Sequence, residues 1–207
     1  MAEDNLNQTE KGMSAARQDA ALVQRALGSS EEFGRIIEKY QEPLRRYVRR
    51  IARPSADELD MLLQDIFIKA YENLNDFNLD LPFSSWIYRI AHNEAIDHIR
   101  RKRRTGTSLD DPAYDDETLT MADTIAADDD VLAEVDRDYI RRNIAAVLDR
   151  LEPKYRSVLV LKFLEDKDYN DISDILRKPP GTVATLIHRA KKEFKRLAEE
   201  GGMGLGS

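Results

Sequence analysis

The apolar residues of this chain recur at spacings of three and four, the period of an α-helix with one buried face. The clearest buried stripe consists of Leu59, Leu62, Leu63, Ile66, Phe67, Ala70 and Leu74. Alternation with a period of two, which would indicate strands, is scarce, and the breaks at glycine and proline are short. The pattern therefore predicts an all-α protein.

Helix start and stop signals divide the first half of the chain into four predicted helices. A short helix closes at Gly28, and a second begins at Ser30, whose side chain suits a helix N-terminus. The predicted segments are a helix over 19–27, a helix over 30–53, a helix from 57, a loop over 75–82 and a helix over 83–104. This half should form one helical domain over residues 17–104.

The second half ends in a pattern typical of a helix-turn-helix unit. One stripe (Ile140, Ile144, Val147, Leu148, Leu151) precedes a helix that starts near Pro153 and includes Val158 to Leu164. Asp168 is a good N-cap for a short helix with Ile172, Ile175 and Leu176 inward, and RKPPG then turns the chain. In the long helix that follows, Val183, Leu186, Ile187, Ala190, Phe194 and Leu197 share one side. The other side carries Thr185, His188, Arg189, Lys192 and Arg196, as in a helix that reads a major groove, although a solvated amphipathic helix is the plainer alternative.

The segment between the halves differs from both in charge. Residues 105–136 contain eleven acidic residues and no Lys or Arg. Such a segment is typical of a disordered linker that self-repulsion keeps extended. The predicted organisation is a disordered tail at 1–16, a domain at 17–104, an acidic linker at 105–136, a helix-turn-helix domain at 137–200 and a flexible tail at 201–207.

Composition excludes several classes of function. The 207 residues include no cysteine and three histidines without HExxH spacing, so we expect no disulfide, metal site or cofactor. No Walker loop or nucleophile with a base is visible, so we expect no catalytic residues and no enzyme. No apolar run approaches the ~20 residues of a membrane span, and the polar N-terminus does not look like a signal peptide, so we expect a cytoplasmic protein without membrane insertion.

The stretch FSSWIYRIAHNEAIDHIRRKRR (83–104) carries the most chemistry, because this acidic chain of net charge −7 concentrates aromatics and five consecutive basic residues there. On a helix, Phe83, Ile87 and Ile90 share the core side. Arg89, Asn93 and Arg100 fall within a narrow arc that has Trp86 at its edge. Aromatic side chains beside cations suit single-stranded bases, although Trp86 and Tyr88 could also be ordinary core residues.

Over residues 19–197 the sequence resembles an extracytoplasmic-function (ECF) sigma factor of bacterial RNA polymerase. The segment from Leu62 to Phe67 resembles the family's LVQ[ED]xF-type helix. The family's promoter-melting pattern is matched by Phe83, Trp86, Ile87, Tyr88, Arg89, Ile90, Ala91, Asn93, Ala95, Asp97, Ile99, Arg100 and Arg101. The region that reads the −35 element is matched by Leu151, Pro153, Val158, Ile172, Leu176, Pro179, Gly181, Thr182, Val183, His188, Arg189 and Ala190.

The resemblance implies three sets of site residues, which would act on core RNA polymerase and promoter DNA. Binding to the β′ clamp of the polymerase would use Leu62, Leu63, Gln64, Asp65 and Phe67. Recognition and melting of the −10 element would use Asn75, Asp76, Phe77, Trp86, Tyr88, Arg89, Asn93, Arg100, Arg101, Arg103 and Arg104. Reading of the −35 element would use Thr182, Thr185, His188, Arg189 and Lys192. The β flap of the polymerase and an anti-sigma factor are further expected partners.

Several positions depart from the family pattern. Met61 replaces an acidic residue before the clamp-binding segment, and Arg177 replaces the usual glycine of the helix-turn-helix turn. The recognition helix usually reads GTVKSR, whereas this one reads GTVATL, so Ala184 and Leu186 stand where cations are expected. DNA contact by this helix is therefore expected to rest on fewer cations. A sigma mimic that occupies an anti-sigma factor without initiating transcription is the alternative function.

Overall fold

The computed structural model of the chain describes residues 17–79, 81–105 and 131–201, with the backbone alone for 131–140. All regular elements within these ranges are helical, which confirms the all-α prediction. The helices are α1 (17–28), α2 (Ser30–Ala52), α3 (Ala56–Glu72), α4 (Phe83–Arg104), α5 (Val131–Arg150), α6 (Pro153–Phe163), α7 (Tyr169–Leu176) and α8 (Pro180–Glu200). A single 3₁₀ turn, Leu74–Asp76, follows α3.

The first domain packs α2, α3 and α4 around one apolar core, with α1 tied to its side. The largest fully buried side chains of this core are Tyr47, Ile36, Leu44, Ile51, Ile66 and Ile87. Burial of each such aliphatic side chain stabilises the fold by roughly 1.5–3 kcal/mol. Buried Asp19 of α1 accepts hydrogen bonds from Lys39 Nζ (2.6 Å) and Tyr40 Oη (2.7 Å), which fixes α1 against α2.

Local signals explain where the helices of the first domain begin and end. At the start of α3, the Ser55 side chain accepts from the Glu58 amide, and the Glu58 carboxylate accepts from the Ser55 amide, which completes a capping box. At the end of α2, Arg53 adopts the left-handed conformation (φ 52°) that commonly terminates helices. These local interactions end α2 and start α3 within a few residues, and both helices contact α4.

The second domain is built by α5 to α8. Pro153 occupies the first turn of α6, and Asp168 caps α7 as predicted, in a capping box with Asp171. Ile172 and Ile175 are buried, and Arg177 closes α7 in the left-handed conformation (φ 50°). Glycine adopts the left-handed conformation without steric cost, which explains why the family usually has glycine at this turn. In this chain Arg177 adopts the same conformation.

Several helix ends differ from the predicted boundaries. Ser29 rather than Ser30 is the N-cap of α2, and its side chain makes no capping hydrogen bond. Helix α5 begins at Val131, inside the predicted linker, because Val131, Leu132 and Val135 extend the spacing of apolar residues towards the N-terminus. The remainder of the predicted linker (106–130) and the tails at 1–16 and 202–207 lie outside the described residues.

The two domains contact each other directly. Helix α7 lies against α4, and α6 lies against α2. The contact includes an ion pair between Arg53 and Asp149 and a hydrogen bond from Arg156 Nη1 to the backbone carbonyl of Ile51 (3.0 Å). The sequence pattern had indicated two domains, but it did not indicate that helices of one domain would pack against helices of the other.

Candidate nucleic-acid interface

Helix α4 has one buried face and one face with polar and basic residues. Phe83, Ile87, Ala91 and Ala95 are buried in the core of the first domain. Ile90, which was predicted to be a core residue, is only half-buried. The opposite face has Asn93 and the basic end of the helix, where Arg100, Arg101, Arg103 and Arg104 are exposed. Cations at a helix C-terminus also interact favourably with the helix dipole.

Trp86 fits both of the alternatives considered for it. Its ring lies 5.2 Å from that of Phe77 and 5.3 Å from that of Phe83, measured between centroids, so it packs on an aromatic cluster. It is nevertheless only half-buried, and part of the indole reaches the surface. Phe77 is buried and therefore supports Trp86, whereas its neighbours Asn75 and Asp76 are exposed in the 3₁₀ turn. The aromatic cluster holds the indole in place at the edge of α4.

Tyr88 is not available at the surface in this structure. It is 4% exposed, and its hydroxyl donates to Glu165 Oε2 of the second domain (2.7 Å). The Nζ atom of Lys167 lies 4.4 Å from the centre of its ring. Burial raises the pKa of Tyr88, and the nearby Glu165 carboxylate raises it further. Tyr88 therefore acts here as a neutral donor in a contact between domains.

The remaining polar residues of this helix are also engaged to different degrees. Arg89 is half-buried, and desolvation together with the positive charge of Arg177 lowers its pKa. Arg100 donates to Asp97 of the same helix (3.1 Å) while remaining exposed. Asn93 is exposed. The structure thus brings Trp86, Asn93 and the basic end of α4 to the surface. Tyr88 is covered by the segment that precedes α7, and Arg89 is half-buried near the end of α7.

Helix α3 presents a second surface. Leu62, Leu63 and Phe67 are buried in the domain core, so of the five residues predicted to bind the polymerase only Gln64 and Asp65 are exposed for direct contact. The structure adds two apolar side chains on the same outward face.

Met61 and Ile68 are 66% and 46% exposed. They stand at helical spacing on either side of Gln64 and Asp65. In the sequence, Met61 stands out only as a departure from the family pattern, and Ile68 was not among the predicted site residues. Apolar residues on the face opposite a buried stripe were the signal that could have revealed both, because solvent-facing helix positions are usually polar.

Helix α8 carries the third set. All five residues predicted to read DNA are exposed: Thr182, Thr185, His188, Arg189 and Lys192. The predicted apolar side is confirmed, with Val183, Ile187, Ala190 and Leu197 buried. Of the two positions that lack the family's cations, Ala184 is exposed, whereas Leu186 packs partly against the core. A cation at position 184 would therefore face solvent.

The described residues contain neither a cluster of metal-binding side chains nor a membrane-spanning helix. No group of three or more His, Asp or Glu side chains in residues 17–79, 81–105 and 141–201 could hold a metal ion. Among the same residues, no helix has both the length and the apolar composition needed to cross a membrane.

Comparison with known families and proteins identifies the two domains. Residues 36–105 match the sigma-70 region 2 family, and residues 141–194 match the sigma-70 region 4 family. The chain is 32% identical over 170 residues to the ECF RNA polymerase sigma factor SigW of Bacillus subtilis, which covers 82% of this chain and 90% of that protein. It is 30% identical over 188 residues to the RNA polymerase sigma-H factor of Pseudomonas aeruginosa, covering 90% and 97% of the two chains.

Solved structures show the same fold. The structure of CnrH in complex with the cytosolic domain of CnrY matches 88% of this chain and 97% of its own, with a TM-score of 0.63 and 23% identity. The sigma factor RpoE of Bartonella quintana, in complex with the anti-sigma factor NepR, matches with a TM-score of 0.59 and 19% identity over 82% and 98% of the chains. The class of protein is a two-domain sigma-70 type factor with regions 2 and 4. Within that class, the chain belongs to the ECF RNA polymerase sigma factors.

Proposed function

We propose that this sigma factor binds core RNA polymerase through the outward face of α3, captures the melted −10 strand on α4 and contacts the −35 element with α8. The observation that carries the proposal is the surface of α4. A half-exposed Trp86 is held there by Phe77 and Phe83, and the same helix carries exposed Asn93 and a run of cations at its end. An aromatic platform next to positive charge suits stacked bases with their phosphates.

Energetics support a requirement for the polymerase. Stacking in duplex DNA is worth about 1.4 kcal/mol per step, so opening roughly ten steps costs on the order of 14 kcal/mol. Stacking of one base on an aromatic side chain returns about 1–3 kcal/mol. The few bases that Trp86 and its surroundings could hold therefore do not open a promoter by themselves. A larger partner must hold both strands, and we propose core polymerase for this role.

The outward face of α3 is the proposed docking site. Exposed Met61 and Ile68 provide apolar area, and Gln64 with Asp65 provides polar contacts on the same face. Interfaces commonly combine a small apolar centre with such a polar surround. The buried residues Leu62, Leu63 and Phe67 would then support this face from within the domain. We also propose an anti-sigma factor as a partner, because the sigma factor RpoE of similar fold is in complex with the anti-sigma factor NepR. The β flap of the polymerase is a further proposed partner, which follows from membership of the ECF family.

The basic surface of α8 is the proposed −35 contact. Exposed Arg189 and Lys192 stand beside Thr185 and His188 on one side of the helix. Such a set favours DNA binding over the alternative of a mimic that occupies an anti-sigma factor, because a mimic has no need of an exposed basic recognition face. Each lost phosphate contact weakens DNA binding and reduces the slope of log affinity against log salt concentration by about 0.9. Because positions 184 and 186 lack cations, the −35 contact should be weaker, and promoter choice should depend more on the −10 element.

Reconstitution with core polymerase tests the proposal. The wild-type protein should direct transcription from a fragment of its own genome and make the −10 region reactive to permanganate. Trp86→Ala should reduce open-complex formation more than closed-complex binding, because only the opened strand presents bases to stack. Trp86→Phe is the matched control, since it keeps an aromatic face and should retain most activity. A Trp86→Ala protein that is equally active on duplex and on pre-melted templates would show that Trp86 is a core residue only.

A further inference from the structure

A cavity of about 270 Å³ lies where the ends of α2 and α4 meet the end of α5 and the start of α6. Its apolar wall includes Ile51, Ile99, Leu151 and Pro153. Its charged lining consists of four arginines and two acidic residues: Arg53, Arg103, Arg150, Arg156, Asp149 and Glu152. The volume is just below the usual range for ligand pockets, so the cavity suits a small ligand.

The lining of this cavity has more positive than negative charge. Four arginines against two carboxylates leave two positive charges in excess. Three ion pairs engage the other charged side chains: Arg53 with Asp149, Arg150 with Glu200, and Glu152 with Lys154. Neither Arg103 nor Arg156 has an ion pair with any residue that the structure describes. These two guanidinium groups therefore carry the excess charge.

Like charges lie close together at the cavity. Arg156 is 7% exposed, and burial lowers its pKa to about 10. The positive charges of Arg53 and Arg103 lower this pKa further. Because a neighbouring cation lowers a pKa only by repelling the charged form, the three guanidinium groups repel one another. An anion bound among them would remove this repulsion.

Hydrogen-bond donors remain available at the same place. A guanidinium group has five N–H donors. Arg156 uses four of them on backbone carbonyls, which leaves one N–H on Nη1. Arg103 is exposed and makes no side-chain hydrogen bond to the described part of the chain. The two residues that carry the excess charge therefore also have free donors.

A phosphate group matches both the charge and the donors. Arginine is the side chain best suited to phosphate, because its planar N–H groups match the phosphate oxygens. A phosphomonoester has a charge of about −1.5 to −2 at pH 7, close to the two excess positive charges. A phosphodiester in the DNA backbone has one negative charge and would leave one positive charge unbalanced.

We propose that this cavity binds inorganic phosphate or a small phosphomonoester, with Arg103 and Arg156 contacting the phosphate oxygens and Arg53 adding positive charge beside them. The site lies apart from the surfaces proposed for the polymerase and for the −35 element. It shares Arg103 with the residues proposed for the −10 element, so an occupied site leaves one cation fewer for DNA. That consequence rests on the proposed function, whereas the phosphate site does not.

Calorimetric titration of the full-length protein with inorganic phosphate, in chloride buffer of constant ionic strength, tests the site. Arg103→Gln changes an exposed side chain and should keep the wild-type urea midpoint. It should bind phosphate on the order of tenfold more weakly, which is the effect of about one charge-assisted hydrogen bond. Glu152→Gln removes an exposed negative charge from the rim and should bind phosphate more tightly, a gain that damage to the fold does not produce.

Two controls separate a site from general attraction. Arg104→Gln removes a neighbouring cation of the same helix end that does not line the cavity, so its phosphate affinity should equal that of wild type. Dimethyl phosphate, a diester with one negative charge, should bind more weakly than inorganic phosphate.

Four outcomes decide the matter. Equal losses in Arg103→Gln and Arg104→Gln would show diffuse attraction to the basic end of α4 and overturn the site. Stronger binding of dimethyl phosphate would overturn the assignment to a monoester and favour DNA backbone at this place. No heat of binding at millimolar inorganic phosphate also overturns the proposal. A wild-type protein that binds phosphate but directs no transcription would overturn the proposed function and leave the phosphate site standing.

Discussion

Replacing Arg156 by Met should destabilise the protein by about 3 kcal/mol, because a single guanidinium group satisfies four backbone carbonyls. Arg156 is 7% exposed. Its Nε donates to Leu148 O (2.9 Å), and Nη2 donates to Asp149 O (2.8 Å) in the last turn of α5 and to Leu151 O (3.2 Å) just after it. Its Nη1 donates to Ile51 O (3.0 Å) at the end of α2. The side chain thus joins the two domains through the ends of two helices.

The magnitude follows from two opposing contributions. A hydrogen bond from a charged donor contributes roughly 1.5 kcal/mol at the low end of its range, so four contribute about 6 kcal/mol. Burial lowers the pKa of Arg156 from its ordinary value to about 10, with the charges of Arg53 and Arg103 as smaller causes. A shift of that size corresponds to a penalty of about 3 kcal/mol for the buried charge, which methionine does not carry. The difference leaves a net loss of about 3 kcal/mol.

Urea unfolding of the full-length protein, followed by circular dichroism, measures this loss. Lys154→Met is the matched control, because Lys154 is an exposed cation two residues away and its replacement should leave the transition midpoint unchanged. The urea midpoint of Arg156→Lys should lie between those of Arg156→Met and Lys154→Met, because one ammonium group cannot reach all four carbonyls. The reasoning is refuted if Arg156→Met unfolds at the same midpoint and with the same slope as Lys154→Met, because the four hydrogen bonds would then add nothing to stability.

Three further predictions concern the surfaces and the pH dependence. Gln64→Ala combined with Asp65→Ala should weaken binding to core polymerase in a titration without changing the urea midpoint, and wild-type affinity would exclude the α3 surface as the dock. Arg189→Ala should nearly abolish protection of the −35 element in a footprint, and Ala184→Lys should extend it; indifference to both would refute the α8 contact. Burial of His92, whose Nδ1 lies 2.9 Å from the Tyr47 hydroxyl, lowers its pKa from 6.5 to about 4. The neutral ring therefore contributes stability above pH 6.5 that is lost as pH falls towards 4, by up to about 3 kcal/mol. His92→Gln should remove this part of the acid sensitivity, and identical losses between pH 7 and 4.5 in the two proteins would contradict it.

Local sequence signals determined most of the helical architecture. The three-and-four spacing of apolar residues predicted α3, and the Asp168 cap predicted where α7 begins. Periodicity and caps operate within a few residues, so a single sequence contains them in full. Helix boundaries were predicted less well than the helices themselves, as the start of α5 at Val131 shows. There the acidic residues indicated a linker, whereas the spacing of apolar residues indicated a helix. The resemblance to ECF sigma factors also came from contiguous motifs and was confirmed by the family matches.

Only the tertiary structure decided which residues of those helices are accessible. Trp86 and Tyr88 are two positions apart and therefore lie on different sides of α4. The spacing does not show which side another domain covers, and in the structure Trp86 reaches the surface whereas Tyr88 is buried against Glu165. Likewise, no local pattern indicates that Arg156 ends at the carbonyl of Ile51, which is 105 positions away in the chain. Such contacts depend on how two separately formed helical domains dock. Docking joins residues of distant sequence position through shape and charge, and the helical period of either domain carries no information about its partner.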